Sequence, residues 1–260
     1  MNQDGGVIYE DEALLVVDKP SGITVNRSDT TKGDQTLQDW IEDKILRYKD
    51  TKILSGNDNI PSNILISQYP SISDFNKRSG IVHRLDKETS GILLVAKTKE
   101  AFENLQKQFK ERVVKKTYVA LAHGVITPKE GEIRVPVGRL PWNRTHFGVL
   151  AGGREAVTKY KTIQNSDFRV QNEKVTLVEL YPETGRTHQI RVHLKHIGHP
   201  IFSDTLYAGR KTARNDRKYL SRLFLHAREI SFTHPQTGER VAFESKLPED
   251  LEQFLNILKE

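Results

Sequence analysis

His83-Arg84-Leu85-Asp86-Lys87-Glu88-Thr89-Ser90-Gly91-Ile92-Leu93-Leu94-Val95-Ala96 sets one carboxylate, Asp86, beside an arginine, then a small polar turn, then an apolar run. Residues 92–96 read as a buried strand and 87–91 as the turn that feeds it. A carboxylate carried by a turn at the edge of a buried strand is placed for chemistry. Ionised, it can attack an electrophilic carbon or accept a proton, provided a cation or several N–H donors keep it charged in a cleft. Arg84 lies two positions away, and in an extended segment such residues project to one side. An ordinary surface pair or a turn cap accounts for the same spacing.

Outward from this stretch, residues 7–12 read as a strand and polar turn, and 13–20 as a more buried strand stopped by Pro20-Ser21-Gly22. A helix is predicted near Thr36 to Tyr48, with Leu37, Trp40, Ile41 and Ile45 at helical spacing and Thr36 as its cap. Asp50 to Ser79 lacks periodicity and reads as a long loop or insertion. A helix over Lys99 to Arg112, capped by Thr98, presents Phe102, Leu105 and Phe109 on one face. Strands are predicted over 116–123, 132–137, 156–163 and 174–181, with a turn at Gly152-Gly153. Thr187 to Ile197 reads as a helix ended by Gly198 and Pro200. On it Ile190, Leu194 and Ile197 share one face, and His188, Arg191 and Lys195 the other. Residues 225–232 and 240–244 form a hairpin around His234 to Gly238, and Leu251, Phe254, Leu255 and Leu258 mark a closing helix. Many strands and few, irregularly placed helices point to an α+β fold with a mixed, largely antiparallel sheet and flanking helices.

The chain has 260 residues, enough for one large domain or two small ones. It has no cysteine, which excludes disulfides and thiolate chemistry. No apolar run approaches the roughly 20 residues of a membrane helix. The N-terminal Met1-Asn2-Gln3-Asp4 lacks a signal pattern, so a cytoplasmic protein with no membrane partner is the simplest expectation. The formal net charge of +6 favours a polyanionic partner, although a solvated basic surface explains it equally well.

Three further groups of residues could carry chemistry. Thr184-Gly185-Arg186-Thr187-His188-Gln189-Ile190-Arg191-Val192-His193 is basic, and Arg191 could pair a carboxylate or grip phosphate; a solvated helix face is the plainer reading. Tyr118 follows Lys115 and Lys116, so its ring could stack on an unstacked base while the lysines meet phosphate, or simply pack on the core edge. His188, His193, His196 and His199 are clustered as zinc ligands can be, but no HExxH pattern occurs and the neighbouring residues are basic, so no metal site is expected. Neither a phosphate-cradling glycine loop nor a Gly-x-Ser-x-Gly elbow is present.

Taken in order, these segments resemble the RluA-type family of RNA pseudouridine synthases. The likeness rests on Ile8 to Gly22, on His83-Arg84-Leu85-Asp86-x-x-Thr89-Ser90-Gly91, on Lys116-x-Tyr118-x-Ala120, and on Thr184 to Leu194 continuing through Gly198-His199-Pro200-Ile201. Leu225-His226-Ala227 and His234-Pro235-x-Thr237-Gly238-Glu239 also fit. The resemblance implies a pseudouridine synthase fold with a central catalytic cleft and Asp86 as the catalytic aspartate. It implies that Arg191 pairs with Asp86, that Tyr118 packs on the target base, and that Arg84 fills the space left by a flipped uridine. Arg84, His83, Lys116, Arg186 and His188 become expected RNA contacts. The partner implied is ribosomal or transfer RNA, and an isomerisation without redox change implies no cofactor and no metal. One catalytic domain over 1–260 acting as a monomer is expected, with an insertion at about 50–79 and no separate N-terminal RNA-binding domain. An RNA-binding or RNA-chaperone module that has lost the reaction is the alternative. Ser203 stands where a glycine is common in the family, which puts the local turn in question.

Overall fold

The computed structural model describes residues 6–27, 31, 33–44, 73–163, 168–170 and 173–258. The chain opens with a hairpin of β1 (Gly6–Glu10) and β2 (Leu14–Lys19). Asp11 shapes its turn by accepting the amides of Ala13 and Leu14 at 2.8 and 2.7 Å. Helix α1 (37–44) follows. Thr36 Oγ1 accepts the Asp39 amide at 3.3 Å, and the Asp39 carboxylate accepts the Thr36 amide at 2.7 Å, a reciprocal cap of two otherwise orphaned donors. The predicted end of this helix at 45–48 and most of the predicted loop, 50–72, lie outside the described residues. The described end of that stretch is not all loop: α2 (Ser73–Lys77) sets Phe75 edge-on to Phe102, with ring centroids 5.6 Å apart. Five residues with a single aromatic carry too little periodicity to announce a helix.

Then come β3 (Ser90–Ala96), α3 (Lys99–Lys110), β4 (Lys115–His123), β5 (Glu130–Arg134), β6 (Val137–Leu140), β7 (Asn143–Val149), β8 (Val157–Thr162), β9 (Arg169–Val170) and β10 (Glu173–Pro182). After them lie α4 (Gln189–His196), α5 (Arg210–Asp216), β11 (Leu225–Thr233), β12 (Arg240–Glu244) and α6 (Glu249–Ile257). The main sheet runs β1-β2-β3-β11-β4-β10-β8-β5, with β12 on β11 and β9 on β10; β6 and β7 form a separate hairpin. Among the described residues every pairing is antiparallel except β3 with β11. The fold is therefore α+β with a mixed, mostly antiparallel sheet, as the pattern of elements predicts.

Strand alternation divides the core. Leu14 and Val16 of β2 join Ile92 and Leu94 of β3 under Phe102 and Leu105 of α3. The intervening Leu15, Val17, Leu93 and Val95 face the opposite way, onto Leu37 and Ile41 of α1. Both faces of this half of the sheet are thus covered, which is why β3 is buried along its whole length. The other half packs β4 and β10 against Ile190 and Leu194 of α4 and Phe254 of α6.

Three predicted elements need correction. The strand expected over 132–137 is two pieces, since Pro136 cannot donate to a ladder; β5 ends at Arg134 and β6 begins a new hairpin. The helix expected from Thr187 begins at Gln189, because His188 adopts a left-handed φ of 56° that interrupts it. Its end is as expected: Gly198 (φ 85°) donates to Lys195 O and His199 to Leu194 O, which satisfies two terminal carbonyls. Third, the polar face expected on this helix is only partly solvated: Lys195 is exposed, but Arg191 is buried and His188 half-buried.

The parallel joint determines where a cleft can open. β3 and β11 share only the pairs Ser90–His226 and Gly91–Ala227 before they part. Beyond them residues 80–83 take over the free edge of β3: Ala96 N–H donates to Gly80 O at 2.8 Å, and Leu94 N–H donates to His83 Nε2 at 3.0 Å. The chain then leaves the edge and reaches Asp86. Gly91 makes the close approach of β3 and β11 feasible; its φ is 110°, and a Cβ there would lie 2.2 Å from Ala227 O. Gly91→Ala is expected to destabilise the fold by about 3 kcal/mol, a fall in Tm of roughly 6–12 °C by calorimetry; an unchanged Tm would show that the joint is loose.

His83 must be neutral to accept the Leu94 N–H. Burial, with a smaller contribution from Lys116, pulls its pKa down to about 3. Between that value and its ordinary 6.5 the unfolded chain binds the extra proton, so this contribution to stability is complete above pH 6.5 and declines as pH falls toward 3. His83→Gln keeps an acceptor and removes the titration. The stability advantage of the wild type over this variant is expected to shrink below pH 6.5 by up to about 1.4 kcal/mol per pH unit, read from urea midpoints. An advantage independent of pH would mean that the folded protein already carries a charged imidazole.

Candidate active site

The turn bearing Asp86 is suspended from four directions. Lys19, wholly buried at the end of β2, donates to Pro20 O, Ile23 O and Lys87 O at 2.8, 3.0 and 3.1 Å. Three carbonyls match the three N–H bonds of an ammonium, although burial pulls its pKa down to about 7 against the upward pull of the Asp86 charge. Ser21 Oγ donates to Glu88 O at 2.8 Å, and Gly22 N–H to Lys87 O at 2.8 Å. The Glu88 carboxylate accepts Arg217 Nη2 at 2.6 Å and the Leu223 amide at 3.1 Å. Arg222, held by Asp250 through two bonds of 2.5 and 2.9 Å, donates to Ser90 Oγ at 3.1 Å.

Asp86 itself meets Arg191 across the cleft, Oδ2 to Nη1 at 3.2 Å. Arg191 is not free to choose that direction. Asp204 accepts its Nε and Nη2, both at 2.8 Å, in a planar two-bond clamp. The Asp204 Oδ1 atom also accepts the amides of Leu206 and Tyr207 at 2.9 and 3.1 Å. Asp204 is completely buried. Burial opposes the guanidinium charge, but the Asp204 bonds, with Asp86 beyond, outweigh it and hold the Arg191 pKa above its ordinary value. The Tyr207 ring lies under the guanidinium with its centroid 5.0 Å from Cζ.

The turn before Asp204 contains Ser203 in place of the expected glycine, and its φ of 64° is left-handed. Its amide donates to Asp216 at 3.0 Å and its hydroxyl to Leu220 O at 2.7 Å, so a serine is held where glycine would otherwise be favoured.

The other residues picked from the sequence divide by environment. Tyr118 lines the cleft from β4; burial and the nearby Asp86 charge push its phenol pKa above the ordinary value, so it is protonated at neutral pH. Lys116, two residues earlier on β4, is also drawn in; burial brings its pKa down to about 8, and its Nζ sits 5.9 Å from the Phe109 ring. His188 lies inside the site: Nδ1 is 2.8 Å from Tyr207 Oη and Nε2 is 3.9 Å from Asp86 Oδ1, and burial lowers its pKa. Arg84 is exposed on the cleft lining and, among the described residues, pairs with no carboxylate. His83 presents its ring to Phe109 at 5.0 Å while its nitrogen serves β3. Arg186 donates from Nε to Glu155 O at 3.0 Å. The histidines weighed as metal ligands disperse: His199 bonds His123 O at 2.8 Å while His188 faces Tyr207, and no group of three ligand side chains gathers among the described residues.

Sequence reading overlooked Asp204, Lys19, Tyr207 and Arg217. Asp204 had one local signal: an acid two and three residues ahead of Leu206 and Tyr207 can accept their amides as an Asx turn.

These groups surround a cleft of about 550 Å³. Seven lysines and arginines line it against two carboxylates, an excess of five beside the +6 of the whole chain. The basic charge is thus focused around one aspartate, and the chemistry available is that of a single aimed carboxylate in a field that attracts polyanions.

Comparison with known proteins agrees with this arrangement. A family model described as RNA pseudouridylate synthase matches residues 13–196. The chain is 37% identical over 260 residues to the ribosomal large subunit pseudouridine synthase D of Neisseria meningitidis serogroup B, covering 97% of this chain and 61% of that one. It is 37% identical over 262 residues to the protein of the same name from Pseudomonas aeruginosa, covering 98% and 72%. Among known structures, human RNA pseudouridylate synthase domain containing 1 matches with a TM-score of 0.64 and 26% identity, covering 99% of this chain and 95% of that one. Human RNA pseudouridylate synthase domain containing 4 shares the fold, with a TM-score of 0.67 and 24% identity over 98% and 93%. With a family model spanning most of its length and relatives this similar, the chain belongs to the RNA pseudouridylate synthase family.

Proposed function

We propose that this chain isomerises uridine to pseudouridine in RNA, with Asp86 as the catalytic residue and ribosomal RNA as the substrate. The observation that carries the reading is the Asp86–Arg191–Asp204 chain of bonds at the centre of a basic cleft. The relatives named for the large ribosomal subunit support the choice of RNA, although this chain spans about three fifths of the Neisseria relative's length. In the reaction the bond from ribose C1′ to uracil N1 breaks, the base turns, and a C1′–C5 bond forms; the C5 hydrogen leaves as a proton and N1 takes one up, so the composition of the nucleotide is unchanged. Asp86 assists the first step by attacking C1′ or by taking a ribose proton to give a glycal. Arg191 holds the carboxylate charged and aimed. Tyr118 packs on the base and offers a protonated phenol. Arg84, exposed and without a carboxylate partner among the described residues, occupies the gap that the flipped nucleotide leaves.

The functional unit we infer is one copy working as a single catalytic domain, an inference supported by the meeting of Asp86, Arg191 and Asp204 within one chain. The compartment inferred is the cytoplasm, where its substrate would be found; among the described residues no helix is long and apolar enough to cross a membrane. A binding module without catalysis fits less well. A carboxylate at the centre of a phosphate-attracting cleft repels RNA, and elaborate support for it has no use in binding alone.

RNA tritiated at uridine C5 is expected to release tritium to water on incubation with the protein. Asp86→Asn should reduce release by at least about a thousandfold while RNA affinity changes little. Asp204→Asn, which weakens the clamp without touching substrate, should lower kcat by about ten- to a hundredfold with KM nearly constant. Absence of release from every cellular RNA pool would refute the enzyme reading, and an active Asp86→Asn protein would refute the assignment of the nucleophile.

A further inference from the structure

Glu155 sits beside arginines that border the cleft. Its carboxylate lies 3.6 Å from Arg112 Nη2 and 3.1 Å from Arg134 Nη1, and its backbone carbonyl accepts Arg186 Nε at 3.0 Å. Arg112, Arg154 and Arg186 all line the cleft that holds Asp86. They crowd one another: after burial, the charges of Arg154 and Arg112 help push the Arg186 pKa below its ordinary value. Like charges brought together against one side-chain carboxylate, itself 58% exposed, form an anion site only partly satisfied by the protein.

A second observation, from the backbone, points the same way. Helix α3 ends in a reciprocal closure in which Val113 N–H donates to Gln108 O at 3.0 Å and Arg112 N–H to Phe109 O at 3.3 Å. The residue after the C-cap in this closure is usually glycine, since it must be left-handed. Here it is Arg112, with φ 61°. A helix terminus shaped for stability alone would carry glycine there. The arginine accepts backbone strain at a position where its side chain borders the cleft.

We propose that Arg112, Arg154 and Arg186 form a subsite for a backbone phosphate next to the target nucleotide, and that the Glu155 carboxylate stands in for that phosphate in the free protein. The proposal rests on RNA as the ligand of this cleft. A phosphodiester brings one negative charge and two acceptor oxygens to planar guanidinium forks. On binding, it takes Arg112 from Glu155, an exchange that gives up only an exposed ion pair.

The substitutions have opposite signs. Arg112→Gly should raise KM for C5-tritiated ribosomal RNA transcript about tenfold and flatten the log–log salt dependence of binding by about 0.7–0.9, yet leave Tm unchanged or raise it by about 2–4 °C. Arg112→Asn, whose side chain tolerates the left-handed region, should raise KM likewise. Glu155→Gln should lower KM by about threefold, since it removes the competing carboxylate. An Arg112→Gly protein with wild-type KM and salt slope would overturn the proposal, as would one that binds RNA normally but melts lower. If the wild type releases no tritium from any RNA, the catalytic reading fails alone. Filter binding of the same transcript to the wild type and Arg112→Gly, compared for salt slope, still decides the subsite.

Discussion

Arg191 is a guanidinium buried between two carboxylates, and most of the site follows from that placement. A buried cation lacking a partner costs several kcal/mol, so Asp204 must accompany it. Asp204 takes Nε and Nη2 along one edge of the planar group, which leaves Nη1 as the outward donor toward Asp86. The geometry of one side chain thus transmits the position of the buried turn at 201–207 to the opposite wall of the cleft. Replacing such a triad by apolar residues is often neutral or favourable for stability, so its presence is better understood as aim than as cohesion.

The other wall is aimed by different means. Where β3 and β11 part after two paired residues, the sheet leaves an unfilled edge, and residues 80–83 occupy it before the chain turns out to Asp86. The next residues are tied by Lys19, Ser21, Arg217 and Arg222, which reach in from elements far apart in sequence. Arg217 also donates from Nε to Ser203 O at 3.0 Å, so one side chain spans the turns that carry Asp86 and Asp204. The two walls are therefore set relative to each other by a contact outside the cleft chemistry.

What the sequence disclosed and what it concealed divide along physical lines. Elements with strong local signals were legible: the continuous apolar runs of β2 and β3, α3 with Thr98 as its cap at 3.2 Å, and the hairpin closed at His234 to Gly238. Elements whose order comes from tertiary partners were not. β7, Asn143–Val149, is largely polar and, among the described residues, pairs in register only with its neighbour β6, while α5, Arg210–Asp216, is nearly all polar and earns its place through Asp216 and Ala213. The start of α4 was missed because helical periodicity does not register a left-handed His188. The Asp86 stretch announced a placed carboxylate, and family resemblance pointed to Arg191 as its counterpart. Asp204 lay beyond both, since a buried acid is recognised only by what it neutralises.

That neutralisation bears directly on the proposed chemistry. A carboxylate fully paired with one arginine is well oriented but weakened as a nucleophile or base, because attack must first pull it from its partner. Here Asp204 takes two of the three Arg191 bonds, so the three groups together carry one net negative charge, and Asp86 has a single bond of 3.2 Å. The more distant cations of the cleft attract phosphate without coordinating the carboxylate, since among the described residues Arg191 is the lysine or arginine that pairs with it. Asp86 is 19% exposed at its side chain, enough to meet a ribose carbon. Sharing one guanidinium between two acids therefore separates the roles: Asp204 keeps Arg191 in place, and Arg191 keeps Asp86 pointed while leaving most of its charge available to the substrate.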